Sequence, residues 1–149
     1  MVNMNKATSF DDSNEFAFIH VRPGDDGKSH PIGTIAVELT PVDDYSRSID
    51  THRVGFSAQH VKKDPWIAAR GRSVAAGRAS RSKDPILVAA PKNASRRELI
   101  MRSVMAVFDA ANEGKINVSK QFRRALEDTM ARMERAEATA RLNRSSAAQ

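Results

Sequence analysis

The chain has 149 residues, no cysteine and a formal net charge of +6. This length suits one domain with its own hydrophobic core, and the lack of cysteine excludes disulfides and thiolate metal sites, as in proteins of the reducing cytoplasm. No apolar run approaches the roughly 18 residues that span a bilayer, and no secretory signal is evident. We therefore expect a cytoplasmic domain over residues 15–143, with flexible ends at 1–14 and 144–149.

Alternating apolar residues predict three strands, at residues 15–22, 32–42 and 53–61, with a polar loop over residues 43–50. The short connections favour an antiparallel meander. In the second strand, Ile35 faces the core and Thr34 can face water.

A helix over residues 65–80 follows the third strand, since Asp64 is a good N-cap and Pro65 suits the first helical position. Gly71 and Gly77 each cost roughly 1 kcal/mol relative to alanine in a helix interior. Together with the alanines around them, they let the helix lie very close to a sheet. Trp66 anchors the start of its packed face.

The apolar run at residues 86–90 predicts a fourth strand, which could join the sheet parallel to the third through a right-handed crossover. Ser95 and Glu98 form a capping box for the next helix, Gly114 ends it, and Ser119 caps the last helix. The predicted fold is α+β: a three- or four-stranded, mostly antiparallel sheet with a Gly/Ala/Arg-rich helix and a C-terminal helical hairpin.

Charge is distributed unevenly along the chain. Residues 1–50 carry four basic and nine acidic side chains, whereas residues 51–102 carry twelve basic and three acidic ones. A block this basic is a common footprint of polyanion binding. It is also compatible with an ordinary solubilising surface, and the sequence leaves both interpretations open.

Three arginines of the first predicted helix share one face. At 100° per residue, Arg70, Arg78 and Arg81 fall within about 80° of one another, while Arg72 lies on another side. The N–H groups at the helix start also suit an anion. The predicted contacts to nucleic-acid phosphates are Lys62, Lys63, Arg70, Arg78, Arg81, Arg96 and Arg97.

Part of this segment resembles a known kind of protein. Asp64, Trp66, Gly71-Arg72 and Gly77-Arg78-Ala79 are similar to a strand–Asp–aromatic–GlyArg…GlyArgAla pattern in uncharacterised small proteins of phages and mobile elements. The resemblance covers residues 52–83 and implies no established activity. It implies an accessory or host-interaction protein, which would act in the host cytoplasm if it is viral.

The residues that could carry catalysis are scattered. No zinc-binding spacing links the four histidines, His20, His30, His52 and His60. His60 lies near Asp64 in sequence, but no convincing nucleophile accompanies them. We interpret the aspartate pairs 25–26 and 43–44 as solvated turns rather than metal sites. The sequence therefore predicts a protein that is not an enzyme and has no cofactor or metal.

The first functional hypothesis is a small basic accessory protein that binds DNA or RNA phosphates without sequence preference. The alternative is a protein–protein interaction module that inhibits or modulates a host enzyme and meets an acidic partner. A homodimer through the last helix is a further option, because its stripe of Phe122, Met130 and Met133 suits either core contacts or an adaptable seam. The least favoured hypothesis is an enzyme with a site around His20, His60 and Asp64.

Overall fold

Four strands form one sheet in the computed structural model, which describes residues 15–42, 48–58 and 68–147. In chain order and in sheet order they are β1 (Phe16–Val21), β2 (Gly33–Glu38), β3 (Ile49–Ala58) and β4 (Ile86–Pro91). The helices are α1 (Ala68–Arg81), α2 (Arg96–Asn112) and α3 (Lys120–Ala147). All three strand pairs are antiparallel, so the predicted α+β fold is confirmed.

Helices cover both faces of the sheet. In β2, Ile35 and Val37 belong to the main core with α2 and α3, whereas Ala36 packs with the alanines of α1. Thr34 shares the face of Ala36 and is fully buried. The prediction that Thr34 faces water is wrong because a helix covers this second face as well.

The larger core lies between the sheet and the two C-terminal helices. Phe122 of α3 is buried and stacks on Phe56 of β3, with ring centroids 5.7 Å apart. A Cβ at Gly33 would lie 2.3 Å from the Phe122 ring, so the glycine makes room for it. Val104, Val107 and Leu126 complete the buried centre, and the burial of this apolar surface is the main force that joins the layers.

The smaller core brings α1 into backbone contact with β3. A Cβ at Gly55 would lie 2.3 Å from both Ala75 O and Ala79 N, closer than side chains can come. Ser57, two residues after Gly55 in β3, donates a 3.1 Å hydrogen bond from its Oγ to Gly71 O in α1. The close approach predicted for this helix is confirmed, although the decisive glycine lies in the strand. Asp64, Pro65 and Trp66 lie outside the described residues.

The fourth strand is antiparallel to the third, so the predicted parallel crossover is wrong. The helix α1 runs back along β3, and Arg53 holds its end by donating to Ala79 O at 2.8 Å and to Ser82 O at 2.6 Å. The chain therefore re-enters the sheet level with Val54, which pairs with Ile86. From there β4 runs on towards the first residue of β3. Pairing with β4 also starts β3 at Ile49, within the predicted polar loop.

The predicted caps at both ends of α2 and at the start of α3 are confirmed. Ser95 Oγ accepts a hydrogen bond from Glu98 N at 3.1 Å, and Ser119 Oγ accepts one from Phe122 N at 3.1 Å. Gly114 adopts a φ of +76° just past α2, a conformation that glycine takes without strain. The helix α3 continues through residues 144–147, which the sequence analysis assigns to the tail.

The two C-terminal helices form the predicted hairpin. Arg97, near the start of α2, lies 3.9 Å from Glu137, late in α3, so the two helices run antiparallel. Met130 and Met133 pack against the main core. This supports core contacts for the methionine stripe, and the homodimer through this helix stays a prediction. Within the described ranges, no helix combines the length and apolarity needed to cross a membrane.

Side chains of α3 also fix the loop that joins β1 to β2. Asp128 accepts a 2.8 Å hydrogen bond from Gly24 N, while Arg132 donates to the carbonyls of Gly24 and Arg22. Arg135 donates to Asp25 O at 2.9 Å. These contacts join residues more than 100 positions apart in sequence, so they tie the first hairpin to the last helix.

We predict that Gly55→Ala destabilises the protein by about 3 kcal/mol or more, because two backbone atoms of α1 occupy the space of the new methyl group. Gly77→Ala is the matched control, since its Cβ would meet only the mobile end of Arg81. It should be neutral or stabilising by up to about 1 kcal/mol through helix propensity. Urea unfolding measures both changes, and equal effects would contradict the close contact at Gly55.

Candidate nucleic-acid interface

The outer face of α1 displays arginines and no carboxylate. The helix sequence AARGRSVAAGRASR contains four arginines and no acidic residue. Arg70, Arg78 and Arg81 are exposed, whereas Arg72 is only 6% exposed. The predicted shared face of the first three is therefore present, and we call Arg70, Arg78 and Arg81 the α1 basic face. Exposed Lys83 follows just beyond the helix.

The three arginines differ in how firmly they are held. Arg78 donates a 2.9 Å hydrogen bond to Phe56 O, which lies past the point where β4 stops pairing with β3. The guanidinium of Arg81 lies over Gly77, where a Cβ would come within 2.7 Å of its Nη2. Arg70 and Arg81 form no hydrogen bond or ion pair with any residue that the structure describes. Two of the three cations are therefore available to an anion.

Four arginines on the other side of the sheet, Arg97, Arg102, Arg141 and Arg144, are paired with glutamates. Arg102 lies 2.9 Å from Glu98, and Glu137 lies 3.6 Å from both Arg141 and Arg144. No such carboxylate partner is found for the α1 basic face in the described part of the chain. The α1 basic face is therefore a group of cations without an ion-pair partner among these residues, although α2 and α3 also carry exposed arginines such as Arg96 and Arg124.

The structure separates the predicted site residues into groups. Arg96 and Arg97 begin α2, which packs on the sheet face opposite α1. Arg97 is engaged with Glu137, while Arg96 is exposed. These two arginines therefore do not join the α1 basic face. Lys62 and Lys63 lie outside the described residues.

A groove of about 440 Å³ runs between the start of α2 and the end of α3. Its walls include Arg97, Arg102 and Arg141, with Met101 and Met105 between them. Because Glu98 and Glu137 neutralise much of this charge, the groove is a weaker phosphate site than the open face of α1.

The described histidines make ordinary structural contacts. His52 is buried with its Nδ1 2.8 Å from Glu38 O, and His20 Nδ1 lies 3.1 Å from Thr34 Oγ1. His60 and Asp64 lie outside the described residues. Among the residues with defined positions, no three His, Asp or Glu side chains are grouped as metal ligands would be.

Arg53 positions the α1 basic face, a role that is not predicted from the sequence. Its two hydrogen bonds place a cation at the C-terminal end of α1, where the helix dipole is negative. The sequence feature that could have predicted this role is the position of Arg53 in β3, on the same strand face as Gly55 and Ser57. A long cation beside two small residues on one strand face suits contact with the end of a covering helix.

The chain matches no family model, no curated protein and no solved structure. The resemblance of residues 52–83 to small phage proteins therefore stays a prediction. The candidate interface rests on the geometry of α1 and on the charges around it.

We predict that Arg53→Met destabilises the protein by about 2 kcal/mol, because two carbonyls at the end of α1 lose a charged donor. Arg70→Met, at an exposed position without such contacts, should change the free energy of unfolding by less than about 0.5 kcal/mol. Urea unfolding gives both values. Hydrogen exchange should also accelerate in the last turn of α1 for Arg53→Met alone, and unchanged exchange there would argue against the anchoring role.

Proposed function

We propose that this protein is a non-enzymatic accessory protein that binds nucleic-acid phosphates through the α1 basic face. The observation that carries the proposal is a rigidly seated helix whose outward arginines lack acidic partners among the described residues. Arginine is well suited to phosphate because its planar guanidinium can donate two parallel hydrogen bonds. Binding also gains free energy from the release of counterions.

The spacing of the arginines suits a duplex. At 1.5 Å per residue, Arg70 and Arg81 lie roughly 16 Å apart along the helix axis. A duplex carries one phosphate per about 1.7 Å of its axis, so the three side chains can reach different phosphates. The other exposed side chains in the middle of α1 are serines, Ser73 and Ser80. Contacts of this kind position a protein on the backbone and carry little sequence information.

The seating of α1 also favours binding. Gly55 brings the helix backbone onto β3, and Arg53 fixes its end. Because the helix is ordered before a ligand arrives, binding carries no added entropic cost of folding its backbone. Lys62 and Lys63 precede α1 in sequence, and we include them in the proposed surface on that ground.

The first test is fluorescence anisotropy with duplex DNA and duplex RNA of about 20 base pairs at about 50 mM salt. Three phosphate contacts give a slope of log K against log salt of about −2.7, or about fortyfold weaker binding at 200 mM. We predict that Arg70→Glu/Arg81→Glu abolishes binding, since it reverses the two open cations. Arg78 is left unchanged because it also holds Phe56 O.

The matched control is Lys120→Glu/Arg124→Glu, which reverses two exposed charges on α3. It should reduce affinity only slightly through the smaller net charge. The absence of wild-type binding, or an equal loss in the control, would overturn the proposal. Binding of no duplex, together with nuclease-resistant capture of a host protein that depends on Arg70 and Arg81, would instead favour the acidic protein partner.

A further inference from the structure

Within residues 15–42, 48–58 and 68–147, no strand pairs with the outer edge of β4. Lys92 N donates to Ser48 O at 3.0 Å, which fixes the hydrogen-bond pattern between β4 and β3. The backbone N–H and C=O groups of β4 therefore bond to β3 at even-numbered residues and point away from β3 at odd-numbered residues. Leu87 and Ala89 therefore direct their N–H and C=O groups away from the sheet. In the described part of the chain their one further contact is a long one, 3.4 Å from Arg102 Nη1 to Ala89 O.

The side chains at this edge are apolar and exposed. Leu87 is 53% exposed, Ala89 is exposed, and Ile49 on the neighbouring strand is 50% exposed. The sequence of β4, ILVAAP, carries no charge. Open edges are usually protected by charged side chains, because unpaired backbone groups attract another strand. The opposite edge strand differs, since its Phe16 is buried under α1.

We propose that β4 pairs with β4 of a second copy of this chain, antiparallel and about a two-fold axis at Val88. The two sheets then become one continuous sheet of eight strands. Such a contact uses the same surface on both copies and closes as a dimer rather than growing into a fibre. It also gives the outward N–H and C=O groups of β4 hydrogen-bond partners in the backbone of another strand.

The prolines on either side select one register. Pro85 and Pro91 occupy outward positions and have no N–H. When Leu87 lies opposite Ala89 of the partner subunit, each C=O of this pair meets an N–H. A shift of two residues in either direction sets one of those carbonyls against a proline. The favoured register also places each large leucine beside a small alanine.

Charges next to the strand agree with this register. Asp84 precedes β4 and Lys92 follows it, so antiparallel pairing places Asp84 across from Lys92 of the partner subunit. Lys92 already lies 2.9 Å from Asp50, and the second carboxylate adds attraction at both ends of the interface. Ala89 O can accept the N–H of the partner as well, because a carbonyl oxygen has two lone pairs and its contact with Arg102 is long.

The pairing has a consequence for the α1 basic face. Because α1 packs over β2 and β3 on one face, both copies of α1 lie on the same side of the joined sheet. Four strand spacings separate them, which is roughly 19 Å. The dimer therefore presents two basic helices side by side, although its formation does not require nucleic acid.

The test measures the mass of the full chain by sedimentation equilibrium at about 100 µM. The expected mass is twice the 16.4 kDa of one chain. Leu87→Lys should yield monomers, because it places charges at the centre of the interface. Leu142→Lys is the matched control and should remain dimeric, since Leu142 is 69% exposed on α3, away from this edge. A monomeric wild type, or dissociation by the control alone, would overturn the proposal.

A second measurement tests the register. The chain has no cysteine, so Leu87→Cys and Ala89→Cys each introduce one thiol at an exposed position. In the proposed register their Cα atoms lie about 5.5 Å apart across the interface, within disulfide range. The mixed variants should form a disulfide under mild oxidation, and each variant alone should form far less. Equal crosslinking of the single variants would contradict the register, and circular dichroism confirms that both variants fold.

Discussion

The contact between α1 and β3 at Gly55 sets the rest of the architecture. Only a strand residue without a Cβ allows the helix backbone to come this close. The inner face of α1 must be small where it meets the strand, and Ala75, Ala76 and Ala79 occupy that contact, while the long side chain of Arg72 is buried on the same face. The exposed long side chains of the helix are arginines, which point outwards. The same packing that covers the second face of the sheet therefore creates the α1 basic face.

Pairing with carboxylates decides which arginines remain available. Only some of the cations in the basic block at residues 51–102 are exposed and unpaired. Arg72 is buried, Arg53 anchors α1, and Arg102 is neutralised by Glu98. Glu137 forms ion pairs with three arginines of α2 and α3. Arg70 and Arg81 on the same face of α1 keep their charges unpaired among the described residues, which is a more specific feature than the net charge of the chain.

What the sequence predicts correctly depends on local chemistry. Ser95 and Gly114 mark helix ends because capping involves residues within one turn, and the shared face of Arg70 and Arg81 follows from the helical period. The burial of Thr34, the direction of β4 and the anchoring by Arg53 depend on which face a distant element covers. The placement of Arg96 on the far side of the sheet has the same origin. Nothing within a few residues of these positions carries that information.

The open edge at β4 follows from the way α1 ends. Arg53 holds the end of the helix level with Val54, so α1 spans β2 and β3 and leaves β4 uncovered on that face. Leu87 and Ile49 are exposed for this reason, and not because the sequence is polar there. A helix long enough to cover β4 would have buried them and hidden the edge. The contact at Gly55 and the anchor at Arg53 thus together set where the basic helix lies and which apolar edge is left for a second copy of the chain.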